Sequence, residues 1–229
     1  MADLSVLNGA TLVLDLDGTL VESAPDLIGT LNVLLAQEGL APLPLQEGRP
    51  LIGHGARRLI ERGFAAQGHS LPTARMDDLL MRFIAHYGDH SADLTRPFPG
   101  AVQALTSMKA AGARLAVCTN KLTGLSVGIL EKLDLARLFD AVVGGDSAPA
   151  AKPDPRHLTA TIEAAGGTTG RAVMIGDAAT DAGAARAAGV PLILVSFGYT
   201  EIPAAELAPD VLIHHFDDLS AACVRLLTA

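Results

Sequence analysis

Short runs of apolar residues recur along the chain, and each run ends in glycine or polar residues. The first covers residues 11–14 and passes directly into the sequence Asp15, Leu16, Asp17, Gly18. A run of this length is too short for a typical helix, and its unbroken apolar character is typical of a parallel strand buried on both faces. Similar runs predict further strands at residues 114–118, 141–143, 171–175, 191–195 and 211–213.

Other segments repeat their apolar residues at intervals of three and four, which is the period of a helix. They predict helices from residue 24 to Gly39, over 53–64 and over 73–90, with a Pro- and Gly-rich loop at 40–50. Ser23 precedes the first helix and is expected to accept hydrogen bonds from its free backbone N–H groups. No strand pattern occurs between Val21 and Arg96, so a helical insertion of about 75 residues directly follows the first strand.

From Pro97 onward the predicted strands alternate with predicted helices. Three of these helices cover residues 100–111, 123–133 and 178–188. A fourth begins at Pro155, and a fifth forms the C-terminal segment. Asp154 is expected to cap the helix that begins at Pro155. Alternation of this kind predicts right-handed βαβ units and a parallel sheet. The fold class is therefore α/β, interrupted once by the helical insertion.

Composition narrows the possible partners and location. The 229 residues are 49% hydrophobic and 18% charged, as in an ordered globular protein, and the net charge is −8. No Lys- or Arg-rich run occurs, so we expect no nucleic-acid partner. No apolar run reaches the length of a membrane span, and the N-terminus lacks a signal-peptide pattern, so we expect no membrane partner. Two distant cysteines, Cys118 and Cys223, fit the reducing environment of the cytoplasm.

Polar side chains follow several predicted strands at the same edge of the sheet, where open α/β sheets bind ligands. These residues are Asp15, Asp17, Thr119, Asn120, Lys152, Asp177 and Asp181. Carboxylates held close together repel one another unless a cation lies between them, and Mg²⁺ prefers oxygen ligands. A carboxylate can also act as a nucleophile, and hydroxyl and ammonium groups can bind phosphate oxygens. The set therefore indicates phosphoryl transfer.

Each of these residues also has an ordinary structural explanation. The sequence Asp17-Gly18 occurs in turns, Thr119 can cap a helix, and Lys152 can be a solvated loop residue. Asp177 and Asp181 can complement the dipole of the helix that follows them. Without a shared function, all four structural explanations would have to be true at once, at four corresponding positions of the sheet edge. Phosphoryl transfer explains the four positions together and is therefore favoured.

The motifs in which these residues occur resemble those of the haloacid dehalogenase superfamily. They are the sequence from Asp15 to Leu20, the strand that ends in Thr119-Asn120-Lys121, the sequence Lys152-Pro153-Asp154-Pro155, and Gly176-Asp177 followed by Asp181. The sequences at residues 21–27, 97–100 and 197–199 further resemble the phosphoglycolate phosphatase branch. The resemblance implies a Rossmann-like core of residues 1–20 and 97–229, with an inserted all-helical cap domain at residues 21–96.

The resemblance also implies a role for each motif residue. Asp15 is expected to be the nucleophile and Asp17 the general acid and base. Mg²⁺ is expected to bind Asp15, the backbone carbonyl of Asp17 and Asp177, with Asp181 in support. Phosphate is expected to bind Thr119, Asn120 and Lys152, the last of which also restrains Asp15. Ala178 stands where many relatives have Ser, which puts one minor contact in doubt.

The loop Gly53-His54-Gly55, which opens the turn at residues 53–58, resembles the cap segment that faces the substrate in this branch. His54, Arg57 and Arg58 are its cationic candidates for a second anionic group on the substrate. Adjacent positions on a helix point about 100° apart, so at most one of the two arginines should reach the substrate. Each arginine can equally be a solvated helix residue.

The expected activity is the Mg²⁺-dependent hydrolysis of a small phosphorylated metabolite such as 2-phosphoglycolate, by a monomer or homodimer. Alternatives are a phosphatase for a sugar phosphate or pyrophosphate, a sugar phosphomutase and a non-catalytic binding module. Related mutases usually carry Ser-Ala-Ser in place of Thr119-Asn120-Lys121, and a binding module should have lost a motif carboxylate. Neither feature occurs here.

Overall fold

A computed structural model describes residues 3–228 of the chain. Its strands are β1 (Thr11–Leu14), β2 (Val21–Glu22), β3 (Arg96–Pro97), β4 (Arg114–Cys118), β5 (Ala141–Val143), β6 (Ala172–Gly176), β7 (Leu192–Val195) and β8 (Val211–Ile213). Its α-helices are α1 (Ala24–Gln37), α2 (Leu45–Gly48), α3 (Ala56–Ala66), α4 (Thr73–His90), α5 (Ala101–Ala110), α6 (Thr123–Lys132), α7 (Pro155–Ala164), α8 (Ala179–Ala188) and α9 (Leu219–Thr228).

Six strands form one parallel sheet in the order β5-β4-β1-β6-β7-β8. Strand β1 lies inside the sheet, paired with β4 on one side and β6 on the other, and all four of its residues are buried. Leu12 and Leu14 pack into one apolar cluster and Val13 into another, because successive side chains of a strand point to opposite faces. The predicted α/β class and parallel sheet are confirmed.

The helices α1 to α4 form the predicted insertion between β2 and β3. These two short strands pair antiparallel, Val21 with Pro97 and Glu22 with Arg96, so the chain leaves and re-enters the core at one place. The Asp26 carboxylate of α1 strengthens this closure, since it accepts hydrogen bonds from the backbone N–H groups of Leu94 and Thr95. The domain boundaries at residues 21 and 96 remain a prediction, and the β2–β3 pair lies at both.

Two local predictions are wrong. The segment 40–50 is not loop throughout, because α2 forms one helical turn there, too short to show a periodic pattern. Ser23 precedes α1 but its side chain does not cap the helix. The Ser23 Oγ donates to Asp17 Oδ1 at 2.5 Å, since a carboxylate accepts a stronger hydrogen bond than a neutral group does. The prediction that Asp154 caps α7 is confirmed, with 2.9 Å between Asp154 Oδ1 and Arg156 N.

Among the helices of residues 3–228, none combines the length and the apolar character that crossing a bilayer requires.

Candidate active site

The carboxyl ends of β1, β4 and β6 bring three chemically active segments to one edge of the sheet. Asp15 directly follows β1, Thr119 follows β4, and Asp177 follows β6. These three strands are direct neighbours in the sheet, so the segments that follow them are forced together. The long loop after β5 brings Lys152 to the same edge, where its ammonium lies 2.9 Å from the Asp15 carboxylate.

Asp15 is held by one carboxylate oxygen and free at the other. Its side chain is buried, and Oδ1 accepts a hydrogen bond from the backbone N–H of Leu16 at 2.7 Å and pairs with Lys152. Within residues 3–228, Oδ2 accepts no hydrogen bond. Burial raises the pKa of Asp15 to about 7, an effect that the neighbouring Lys152 ammonium opposes. Such a carboxylate is oriented by the protein yet retains one oxygen for chemistry.

Lys152 is the counter-ion of this edge. Its ammonium donates to Cys118 O at 2.6 Å and to Asp181 Oδ1 at 2.7 Å, and it forms an ion pair with Asp15 Oδ1 at 2.9 Å. Burial alone would lower the pKa of Lys152, but the two carboxylates outweigh it and raise the pKa, so the side chain stays charged. Lys152 therefore restrains Asp15, and its contact with a phosphate group remains a prediction.

Three buried carboxylates lie close enough to share one cation. Asp15, Asp177 and Asp181 each offer an oxygen, and these oxygens lie within 4.8 Å of one another. Burial and the neighbouring carboxylates Asp181 and Asp15 raise the pKa of Asp177 well above its ordinary value. Carboxylates held this close repel one another unless a cation lies between them, and an oxygen-only donor set fits a hard divalent cation such as Mg²⁺.

The individual hydrogen bonds distinguish the members of this cluster. Asp181 uses Oδ1 for Lys152 and Oδ2 for the backbone N–H groups of Asp177 and Ala178, so its oxygens already have partners. Asp177 accepts one hydrogen bond at each oxygen, from Thr19 Oγ1 and the Tyr199 backbone. Asp181 thus accepts three hydrogen bonds and Asp177 two, while Asp15 Oδ2 accepts none, so Asp15 and Asp177 keep more lone pairs for a metal and Asp181 orients its neighbours.

The turn after β1 needs glycine at position 18. Gly18 has φ +80°, and a Cβ built on it would lie 2.5 Å from Asp177 Oδ2 and 2.9 Å from the Tyr199 ring. The left-handed conformation disfavours other residues, and the close contact would displace the Asp177 carboxylate. This glycine lets the Asp15–Asp17 segment approach Asp177.

The Asp17 carboxylate is held separately from that cluster. Its Oδ1 accepts hydrogen bonds from Ser23 Oγ at 2.5 Å and Lys121 Nζ at 2.9 Å. The Lys121 ammonium also donates to the Tyr87 hydroxyl at 2.9 Å, so it links Asp17 to helix α4 of the insertion. Burial raises the pKa of Tyr87 to about 12, which keeps its phenol protonated. Asp15 and Asp17, two residues apart, thus have different partners and can perform different tasks.

Thr119 and Asn120 occupy the loop after β4. Thr119 is buried, and its hydroxyl accepts a hydrogen bond from the Lys121 backbone at 3.2 Å. The Asn120 side chain binds the backbone of Lys152 through both its oxygen and its nitrogen, and donates to Gly53 O. The Asn120 side chain therefore joins three loops, and its contact with phosphate remains a prediction.

A cavity of about 290 Å³ lies between this edge of the sheet and the helical insertion. Asp15, Asp17 and Thr119 line its polar side. The insertion supplies an apolar wall, which consists of Leu27, Ile52, Leu59, Leu80, Phe83 and Ile84. The cavity suits a small ligand whose charged groups all face the sheet edge.

The predicted cationic turn meets this cavity only in part. His54 and Arg57 line the cavity. Arg57 pairs with Asp77, however, and the side chains of Arg57 and Asp77 are both more than half exposed. Arg58 is not among the lining residues, and its side chain pairs with Glu61 in solvent. Of the two arginines only Arg57 lines the cavity, and its contact with the substrate remains a prediction.

Two lining residues, Lys121 and Tyr87, are absent from the candidates that the sequence provided. Lys121 stands inside the quoted Thr119-Asn120-Lys121 sequence, and a lysine directly after a buried strand is a signal that could have identified it. Tyr87 lies on the apolar stripe of α4, where nothing in the sequence separates a functional tyrosine from a core one.

Comparisons with known proteins agree with the fold. Residues 12–195 match the family described as "Haloacid dehalogenase-like hydrolase". A phosphoglycolate phosphatase from Caulobacter vibrioides is 55% identical over 229 residues, which cover 100% of this chain and 97% of that protein. A phosphoglycolate phosphatase from Agrobacterium fabrum is 46% identical and covers 95% of this chain and 93% of its own. The crystal structure of a predicted phosphoglycolate phosphatase from Haemophilus somnus superimposes with a TM-score of 0.86 at 29% identity, covering 93% of this chain and 97% of its own.

Proposed function

We propose that this chain, which belongs to the haloacid dehalogenase-like hydrolase family, removes the phosphate group of 2-phosphoglycolate. The reaction is a phosphomonoester hydrolysis. The observation that carries the proposal is the pair Asp15 and Asp17, which face one small cavity but are held by different partners. The names of the full-length relatives at 55% and 46% identity support the substrate.

Asp15 is the proposed nucleophile. Its Oδ2 attacks phosphorus while Lys152 and the Leu16 N–H hold Oδ1, and the bond between phosphorus and the ester oxygen breaks. Asp17 gives a proton to the departing alkoxide of glycolate. The products of this half-reaction are glycolate and an acyl phosphate on Asp15, so one difficult displacement becomes two easier ones.

The second half-reaction regenerates the protein. Asp17, now ionised, takes a proton from a water molecule that attacks the phosphorus, and the Asp15 carboxylate leaves. Ser23 and Lys121 hold Asp17 in one orientation for both proton transfers. The Thr119 hydroxyl and the backbone N–H groups after β4 are the proposed donors to the phosphate oxygens.

Mg²⁺ is the proposed metal, held by the Asp15 and Asp177 carboxylates and the Asp17 backbone carbonyl. When bound, it neutralises the charge of the phosphate oxygens and of the clustered carboxylates. Thr19 and the Tyr199 backbone orient Asp177 for this role. The two buried cysteines, both free, support the further proposal that the protein works in the cytoplasm.

The test is a comparison of substrates with purified protein and Mg²⁺. We expect the highest kcat/KM for 2-phosphoglycolate, measured against glucose 6-phosphate, pyrophosphate and p-nitrophenyl phosphate. The Asp15→Asn variant, purified in the same way, reports any contaminating phosphatase. The reaction, quenched early and reduced with borohydride, should convert Asp15 to homoserine, because borohydride reduces the acyl phosphate but not a free carboxylate. Preference for pyrophosphate or the sugar phosphate would refute the substrate, and conversion of Asp17 instead of Asp15 would refute the nucleophile.

A further inference from the structure

We propose that Lys121 and Tyr87 form the binding site for the carboxylate of the substrate, at the junction of the sheet edge and the helical insertion. The inference rests on the proposed function, because it concerns an organic phosphate with a second anionic group. It assigns a role to two residues outside the predicted site and replaces the 53–58 turn as the main source of specificity.

The chemistry of the substrate fixes where its carboxylate must bind. In 2-phosphoglycolate a single methylene carbon separates the ester oxygen from the carboxylate. The general acid must lie within hydrogen-bond reach of that ester oxygen. The group that binds the carboxylate must therefore lie beside the general acid. Lys121 meets this requirement, since its ammonium lies 2.9 Å from the Asp17 carboxylate.

Lys121 and Tyr87 each retain a hydrogen-bond donor for a ligand. An ammonium has three N–H donors, and Lys121 Nζ uses two of them, one for Asp17 and one for the Tyr87 hydroxyl. The Tyr87 hydroxyl accepts from Lys121, so its own O–H is left to donate. Neither the third N–H of Lys121 nor the Tyr87 O–H has an acceptor within the described part of the chain, residues 3–228. Buried donors of this kind mark places where a ligand or water binds.

Lys121 and Tyr87 are buried beside an apolar wall of the cavity. Lys121 is only 8% exposed and Tyr87 is fully buried, and both line the cavity. The ammonium also lies over the Tyr87 ring, 4.5 Å from its centre. The wall of the insertion around them is apolar, with Phe83 and Ile84 beside Tyr87. Two free donors in apolar surroundings bind an anion more strongly than the exposed Arg57, which already pairs with Asp77.

The arrangement has a consequence for selectivity. Lys121 follows β4 of the core and Tyr87 belongs to α4 of the insertion, so the two donors meet only when the insertion covers the sheet edge. A substrate with a carboxylate stabilises this closed arrangement by adding a third partner to the Lys121 ammonium. A phosphate ester without one gains no such contact. Selectivity therefore arises at the junction of the core and the insertion, beside Asp17.

The experiment compares two substrates of equal length. Ethyl phosphate has a methyl group where 2-phosphoglycolate has the carboxylate, and the measured quantity is the ratio of their kcat/KM values. Lys121→Met should lower this ratio about 100-fold and Tyr87→Phe about 10-fold, the effects of losing a charged and a neutral hydrogen-bond donor to an anion. Any disturbance of Asp17 affects both substrates and cancels in the ratio. Lys121→Arg should lower the ratio less than Lys121→Met does, because it keeps a charged donor.

A matched control is Lys132→Met. Lys132 also crosses from the core to the insertion, donating to Gly88 O at 3.1 Å, but it does not line the cavity, so the ratio should keep its wild-type value. An unchanged ratio in both Lys121→Met and Tyr87→Phe would overturn the inference, as would a fall in Arg57→Met alone. If Lys121→Met does not fold, Tyr87→Phe decides the matter. A wild-type ratio near one would instead refute the proposed substrate, and the inference with it.

Discussion

Replacement of Asp15 by Asn should abolish turnover and, without metal, stabilise the fold. The variant keeps the size and shape of the side chain but removes the nucleophile, so kcat should fall by several orders of magnitude. The effect on stability follows from burial. Asp15 is only 6% exposed, and burial raises its pKa from 3.8 to about 7. The folded protein therefore prefers a neutral group at this position, and Asn supplies one permanently.

The magnitude follows from the difference in pKa. Three pKa units correspond to about 4 kcal/mol, and we expect Asp15→Asn to raise the free energy of unfolding at pH 8 by about 2–4 kcal/mol. The sign follows from the direction of the shift. A raised pKa contributes stability below the ordinary value of 3.8, and that contribution is lost as the pH rises through about 7. The difference between variant and wild type should therefore vanish near pH 4.

Urea unfolding in EDTA at pH 4, 6 and 8 measures this difference. Asp140→Asn is the matched control, because the hydrogen bonds from Lys109 and Leu115 outweigh burial and lower the pKa of Asp140. That variant should lose about 1 kcal/mol at both pH 6 and pH 8, because the contribution of a carboxylate with a lowered pKa is present above its ordinary value of 3.8 and is lost only below it. An Asp15→Asn protein that is less stable than wild type at pH 8, or a difference independent of pH, would refute the reasoning.

Two further predictions concern the metal and the Gly18 turn. EDTA should abolish hydrolysis and excess Mg²⁺ restore it, whereas Ca²⁺ should support little turnover because it prefers longer bonds and more ligands; full activity in metal-free buffer would contradict this. Gly18→Ala should lower the free energy of unfolding by about 1–3 kcal/mol and also remove activity, since its Cβ would displace Asp177. Gly68→Ala, at φ +76° with open space around it, should lose stability but keep its kcat, and equal kcat losses in both variants would exclude the proposed displacement.

The architecture could be predicted from the sequence because the relevant signals are local. The buried strand at 11–14, the alternation after Pro97 and the absence of strand patterns between Val21 and Arg96 each follow from side-chain periodicity. Parallel strands then bring their carboxyl ends to one edge, whatever the details of packing. The proximity of Asp15, Lys152 and Asp177 could therefore be predicted from little more than the order of the strands.

The partners of Asp17 were decided by the tertiary structure alone. Ser23 has the local sequence of a helix cap, yet its hydroxyl binds Asp17, because the turn after β1 brings a carboxylate within 2.5 Å. Lys121 and Tyr87 are 34 residues apart and meet only because α4 packs over the end of β4. The sequence predicted that Arg57 or Arg58, next to a glycine turn, binds an anionic group of the substrate. In the structure Arg57 pairs with Asp77 and Arg58 with Glu61 on the surface. Periodicity predicts which face of an element is buried, whereas the partner of a polar side chain depends on which elements pack against it.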